Sequence, residues 1–329
     1  MKKVIQRLAC FLGIAAILCA GISACMEDDN VDGNAWGAQN AAYAEEPTDV
    51  RPGELMILYT NNTDITADGL DWIQKAGNLK RYYEEQGVTV YLLDAGNVFF
   101  NSGTEETPAL PDLQAKSVEY VTGLLNEAGY DGVLPGSRDL VNGAGYLQEK
   151  LRQSRIPRQF VVLCSNIQCR LCENSVFSES GIIEEDNILT GFMGMTDMGE
   201  KEENIDVEDP QKAAKDNIRD FRNYAGRQEK TLEEVIAVLH LGRMGDAGNA
   251  VNDFTEKVSG VNVIIDGNCE QQYDEQGENA EGETYIVTGI GAQPECVGYV
   301  KIQTEEGKTM EAGIIDEEHY EDLMEKAAG

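Results

Sequence analysis

Apolar positions along the chain fall into short solid runs that alternate with stretches of helical spacing. Leu55–Thr60 (LMILYT) is one such run and reads as a buried strand. Trp72, Ile73, Ala76, Leu79 and Tyr83 then recur at helical intervals and predict a helix from about Leu70 to Gln86, with Gly87 as its C-terminal glycine. Val88–Asp94 is a second strand. Val118, Val121, Leu125 and Ala128 stripe a second helix, Gly132–Leu134 is a short strand, and Gly145–Gln153 a third helix. Phe160–Leu163, Asn187–Met195, Val235–Leu239 and Val261–Ile265 are further strands, with a polar helix over Asp209–Arg227 between two of them. After Tyr285 the texture changes: Tyr285–Gly289, Val297–Gln303 and Met310–Ile315 follow one another as strands, with Glu306-Gly307 the clearest turn. The pattern is an α/β alternation closed by a β-rich end, without internal repeats.

Open α/β sheets collect ligands at the carboxyl ends of their strands. Here those ends are Asn61–Asp64, Asp94–Asn97, Pro135–Asp139, His240-Leu241-Gly242 and Asp266–Glu270. They are polar, often contain glycine, and together nominate one convergent site.

The first 53 residues have a different character. Met1–Arg7 is basic, and Leu8–Ala20 is an apolar run of signal-peptide length, short for a membrane span. It ends in Ile22-Ser23-Ala24-Cys25, which resembles the lipobox of bacterial lipoproteins. That resemblance implies a signal peptide over 1–24, acylation of Cys25 and an extracytoplasmic chain anchored to the bacterial cell membrane by lipid. The alternative is simple secretion with cleavage after Ala42-Tyr43-Ala44. Residues 25–53 are acidic, then rich in Ala, Asn and Gly, and lack apolar periodicity, as a flexible tether would. One body, residues 54–329, remains.

Charge narrows the function. The chain of 329 residues has 26 Lys+Arg against 59 Asp+Glu, a net charge of −33, and all the acids follow Cys25. Such a surface repels phosphate backbones, which argues against nucleic-acid partners. Hydrophobic residues at 42% are enough for a packed globule.

The strand ends carry more than polarity. Ile57-Leu58-Tyr59-Thr60-Asn61-Asn62-Thr63-Asp64 resembles the opening motif of the 5′-nucleotidase family of calcineurin-like metallophosphoesterases, an aliphatic residue followed by Thr-Asn-Asp-x-His. Leu92-Leu93-Asp94-Ala95-Gly96-Asn97 is similar to its second motif, ending in Gly-Asp. Gly129-Tyr130-Asp131 and Pro135-Gly136-Ser137-Arg138-Asp139 stand where the family has Gly-Tyr-Asp and Gly-Asn-His-Glu. Ser165-Asn166-Ile167 resembles Ala-Asn-Ile, and Val238-Leu239-His240-Leu241-Gly242 resembles Ser-His-x-Gly. Asp266-Gly267-Asn268-Cys269-Glu270 takes the place of Gly-Gly-His-Ser/Thr-His. The resemblance runs from about Leu55 to Ile302. It implies a four-layer α/β/β/α sandwich of two mixed sheets, with the site at one edge.

That family hydrolyses phosphate esters with two divalent metals, which need an anionic bridge, carboxylate and imidazole ligands, and a nearby proton donor. Carried over by position, the first Asp is Asn62 here and the following His is Asp64. The bridging Asp is Asn97, the ligand Asn is Ser137 and the catalytic His is Arg138. The Ser-His-x-Gly ligand survives as His240, and the last two His are Asn268 and Glu270. A neutral amide at Asn97 does not offset two dications. A guanidinium with a pKa above ~12 at Arg138 neither ligates a metal nor serves as a neutral-pH acid. The chain has two His in all, the other being His319, expected on the surface. Carried over from the resemblance, the family's C-terminal nucleotide-binding domain is expected to be absent after the matched region.

The reading is therefore a cell-envelope lipoprotein whose metallophosphoesterase-like domain is a non-hydrolytic pseudoenzyme with a binding or structural role, its partner an unidentified envelope protein or ligand. No cofactor is expected, and Arg138 is expected to pair with Asp64, Asp139 or Glu270. The alternative is a phosphoester hydrolase with one atypical divalent cation, Mg²⁺, Mn²⁺ or Ca²⁺, on Asp64, His240 and Glu270, with Asn62 and Asn97 as further donors. Of eight Cys, Cys164, Cys169, Cys172, Cys269 and Cys296 follow the lipobox. Cys169-x-x-Cys172 reads as a local disulfide or a reduced pair, and a Cys269–Cys296 bridge is the further expectation.

Overall fold

The computed structural model describes residues 4–6 and 50–328, apart from 65, 101–116, 171–174, 179, 186–187, 198–202, 243–246, 280, 293–294 and 304–307. Cys25, most of the tether and Cys172 lie outside the described residues.

Two seven-stranded sheets form the body. The first runs, edge to edge, Thr309–Ile315, Val297–Gln303, Leu55–Thr60, Thr89–Asp94, Gly132–Val133, Val161–Leu163 and Phe177–Ser178. Its first two contacts are antiparallel and the others parallel. The second runs Val4–Gln6, Ser180–Glu185, Ile188–Thr196, Leu232–His240, Val263–Asp266, Thr284–Ile290 and Gln272–Glu278. Its middle is parallel and its margins antiparallel. Val4–Gln6, within the stretch read as an export signal, lies along that sheet's margin. Ile205–Val207 and Ile167–Cys169 make a separate small ribbon.

Period-2 side-chain alternation explains the layering. In Leu55–Thr60, Met56 and Leu58 face a cluster with Trp72, Ile73, Leu79 and Leu125 from the helices Ala67–Glu85 and Ser117–Ala128. Ile57 and Tyr59 face the opposite way, into a second cluster with Ile236, Val238, Ile265 and Ile286 of the other sheet. A third cluster lies between that sheet's outer face and the helices Pro210–Gln228 and Ala247–Lys257, with Phe221 and Phe254 fully buried. Three apolar layers between four layers of structure make the α/β/β/α sandwich. Cross-sheet bonds pin it: Tyr59 OH meets Thr288 Oγ1 at 2.9 Å, and the Tyr91 and Phe192 rings meet edge to face at 5.0 Å.

Local sequence sets the boundaries. Ala67–Glu85 begins three residues before the expected Leu70 because the Thr66 side chain accepts from Gly69 N at 3.1 Å and caps it. Pro210–Gln228 is capped by Asp209, with proline in its first turn. Leu232–His240 runs longer than its apolar stretch because Glu234, buried in it, finds Lys308 at 2.7 Å. The expected Cys269–Cys296 bridge does not form: both are free, buried thiols. Cys269 Sγ is already engaged, accepting from Gly291 N at 3.1 Å and donating to the Asp266 carbonyl at 3.4 Å. Cys169 is disulfide-bonded. His319 is partly exposed beside Asp316, as expected of a surface residue.

Candidate functional site

The carboxyl ends of strands from both sheets meet at one margin of the sandwich. Leu55–Thr60 delivers Asn62 and Asp64, Thr89–Asp94 delivers Asn97, Gly132–Val133 delivers Ser137 and Arg138, and Leu232–His240 ends on His240 itself. Asn62, Asp64 and Asn97 have φ of +53°, +44° and +64°. Asn and Asp are among the few side chains that enter this left-handed region readily, so the loops turn at residues that keep polar groups inward.

Those side chains bond to one another. Asn97 donates through Nδ2 to Asn62 Oδ1 at 2.7 Å, and its own Oδ1 accepts from Arg138 N at 2.9 Å. The Arg138 guanidinium donates through Nη2 to Asn62 Oδ1 at 2.8 Å and lies 3.1 Å from Asp64 Oδ2. His240 is buried, with Nδ1 3.2 Å from the Ala95 carbonyl, which fixes the proton on Nδ1. Its Nε2 then accepts, facing Asn97 Nδ2 at 3.3 Å and Ser137 Oγ at 3.4 Å. Glycine makes the close approach feasible: a Cβ on Gly96 would stand 2.7 Å from His240 Nδ1, and one on Gly136 2.3 Å from Asn97 Oδ1.

Charge in the cluster is set mainly by burial. Burial pushes the Asp64 carboxyl up to about 7, against the pull of Arg138 and with help from Asp139. The ion pair is therefore poised to lose its charge near neutrality. Burial lowers His240 to about 4, opposed by its bond to Ala95 and assisted by the Arg138 charge, so the imidazole is neutral at pH 7.

Of the three carboxylates expected to answer Arg138, the structure selects Asp64. Asp139 is instead gripped by five backbone amides, those of Asn97, Val98, Phe99, Phe100 and Gly136, at 2.8–3.2 Å. Burial raises its carboxyl and those amides pull it back. Glu270 is exposed and is not drawn into the cluster, which corrects its expected place. Asn268 turns its amide to the carbonyls of Leu241 and Gly242, at 3.0 and 2.7 Å, and so braces the loop after His240.

A supporting network escaped the reading of the sequence. Thr60 Oγ1 donates to Asp94 Oδ2 at 2.7 Å and meets Tyr130 OH at 2.8 Å, while Gly96 N donates to Asp94 Oδ1 at 3.0 Å. Burial holds the Asp94 carboxyl well above the carboxylate range, opposed by those bonds. Asp131 meets Lys80 Nζ at 2.5 Å and accepts from Leu92 N at 2.9 Å. The Gly129-Tyr130-Asp131 segment thus holds two strands and a helix in register. Its motif was the available signal, but only the folded chain reveals the job.

These residues do not fit a metal pair. The Asn62 and Asn97 oxygens that would face metals already accept N–H donors, and a guanidinium stands among them. Among the described residues no group of three or more His, Cys, Asp or Glu is placed to hold a metal ion.

No family pattern matches the sequence, and no curated protein does. Solved structures do match. A 5′-nucleotidase precursor from Thermus thermophilus superposes with a TM-score of 0.61 at 17% identity, over 84% of this chain and 58% of that one. The chain has the metallophosphoesterase fold. The NAD nucleotidase of Haemophilus influenzae matches at 0.59 and 16% identity, over 80% of this chain and 49% of its own. The sulfate thiohydrolase SoxB of Thermus thermophilus matches at 0.58 and 14%, over 84% and 61%. The chain therefore spans about half to three-fifths of the length of these metallophosphoesterase-fold proteins. At such identities the likeness is one of fold, and it corresponds to their 5′-nucleotidase-type N-terminal domain.

Proposed function

We propose that this domain is a non-hydrolytic member of the metallophosphoesterase fold, held at the outer face of the cell membrane through lipidated Cys25, where it serves a binding or structural role. The observation that carries the reading is the seat of Arg138. One guanidinium nitrogen lies against both Asn62 Oδ1 and Asp64 Oδ2, in the middle of the loops that would have to receive cations. A fixed positive charge there repels dications and neutralises the remaining carboxylate. Asn97, the amide at the bridging position, has both its oxygen and its nitrogen engaged.

A second reading, hydrolysis with a single cation, draws on the lone pair that His240 Nε2 directs at Asn97 and Ser137. The two are separated by assaying a panel of phosphate mono- and diesters with Mn²⁺, Mg²⁺, Ca²⁺ or Zn²⁺, beside His240→Ala. The proposal expects no turnover with any metal. Turnover that disappears in His240→Ala would replace it with the single-cation hydrolase.

A further inference from the structure

The second sheet ends in a strand unlike the other margins. Ser180–Glu185 pairs on its inner side with Ile188–Thr196. Its outer side is covered by Val4–Gln6, which runs antiparallel with Val4 opposite Glu184, Ile5 opposite Ile183 and Gln6 opposite Ile182. By sequence that covering strand belongs to the export signal. A leader of this kind is threaded across the membrane before the domain folds and is then removed. With that leader gone, no other described strand pairs with the outer side of Ser180–Glu185, whose row of backbone groups is then a template for strand addition.

A second observation lies beneath the same strand. Gly181 and Ile183 face the space between the sheets, where a narrow, mostly apolar hollow is lined by Leu93, Val161, Leu163 and Phe192, with Asp131 at its side. A Cβ built on Gly181 meets nothing within 4 Å. The margin thus offers backbone bonds and, beside Gly181, space for a small apolar group. The opposite margin, Gln272–Glu278, bears Asp274, Glu275 and Glu278, charges that discourage edge pairing.

We infer that Ser180–Glu185 is a docking edge that accepts an extended, aliphatic, basic-flanked segment of another protein as an added strand. The argument for that occupant is complementarity. The edge ends in Glu184-Glu185 on a chain of net charge −33, which disfavours a second copy, and the strand seated on it is Val4-Ile5-Gln6, which the sequence flanks with Lys2, Lys3 and Arg7. The inference rests on the export reading only for the vacancy of the edge, and the mass of the chain's N-terminus recovered from membranes tests that reading separately.

The test uses residues 26–329, since every buried apolar side chain among the described residues lies between Met56 and Leu323. A dye-labelled peptide of residues 2–7 is titrated by anisotropy, and amide exchange is followed over 180–185. Saturable binding with slowed exchange there is expected. The same peptide with both Val4→Pro and Ile5→Pro, of which one must remove a ladder donor because alternate residues face the partner strand, should bind at least about tenfold more weakly at equal charge. Gly181→Val, which fills the hollow from within, should weaken the unmodified peptide in the same way. Equal binding of the proline peptide would mean charge attraction alone and overturn the inference. So would absence of saturation at millimolar peptide, protection confined to other segments, or a dimer of the chain that closes this edge.

Discussion

At Arg138 a side chain with five fixed donors stands among the strand-end loops. One of its nitrogens reaches an amide oxygen and a carboxylate at once, so two loops are tied through a single group. Arg138→Met keeps the stem and removes the donors. It leaves Asp64, whose side chain is 17% exposed, without its cation. We expect a loss of about 1–3 kcal/mol in urea unfolding at pH 7.5, where Asp64 is largely ionised. Asp64 and His240 also make opposed contributions to the pH dependence. The Asp64 carboxyl is raised from 3.8 to about 7, so its contribution to stability is full below about 4 and is lost as pH rises through about 7. His240 is lowered from 6.5 to about 4, so its contribution is full above about 6.5 and is lost as pH falls toward 4. Between these limits they oppose each other. Asp64→Asn removes one side. Its stability relative to the parent should climb by roughly 1 kcal/mol per pH unit between pH 4.5 and 6.5. Unfolding curves at three pH values read this directly, and a constant difference would refute it.

Elements with an unambiguous apolar signature were legible in the sequence. Val297–Gln303 lies where its alternation predicts, and Leu55–Thr60 likewise. The elements that escaped prediction include Ser180–Glu185, Gln272–Glu278, Ala247–Lys257 and Glu317–Ala328. Gln272–Glu278 is a sheet margin, where one row of backbone groups pairs and side chains need not be apolar, and Ser180–Glu185, next to the opposite margin, is likewise half polar in sequence. The helices are short and carry a narrow apolar stripe among charges. The site was legible as a set of strand ends, since position along an α/β chain dictates convergence. Which carboxylate would answer Arg138 was not. That choice depends on the amides of Asn97–Phe100 enclosing Asp139, a matter of backbone geometry. The helix Ala67–Glu85 supplies a test at this scale. Its Lys80 is buried against Asp131 and the Gly129 carbonyl, the latter at 2.7 Å. Lys80→Met should cost about 3–5 kcal/mol, because a buried carboxylate is left without its partner. Lys80→Met with Asp131→Asn should recover part of that loss in the same unfolding assay.

For the molecule as a whole, the interior is reduced where the thiols are described. Burial pushes Cys164, Cys269 and Cys296 to about 12, far from the thiolate that reagents attack. Iodoacetamide should leave all three unlabelled in the native chain and label all three in denaturant, as read by peptide mass spectrometry. A Cys269–Cys296 disulfide under non-reducing conditions would contradict the structure. The acidic surface, by contrast, was fully legible from composition, and it frames the partner question in terms of basic segments.

The order of strands in the first sheet has a consequence for how the chain acquires its shape. Leu55–Thr60, the first strand of the body, lies beside Val297–Gln303, and the last helix packs on the first, with Tyr320 against Trp72 at 6.4 Å. During synthesis the earliest strand must wait for nearly the last residues before that flank of its sheet exists. Such distant pairing makes closure slow and cooperative, as non-local contacts do generally. A chain emerging in order from its N-terminus therefore stays without its native sheet until almost all of it has appeared. A product truncated before residue 297 lacks the strand that flanks Leu55–Thr60, and should fail to show the cooperative unfolding of the full chain.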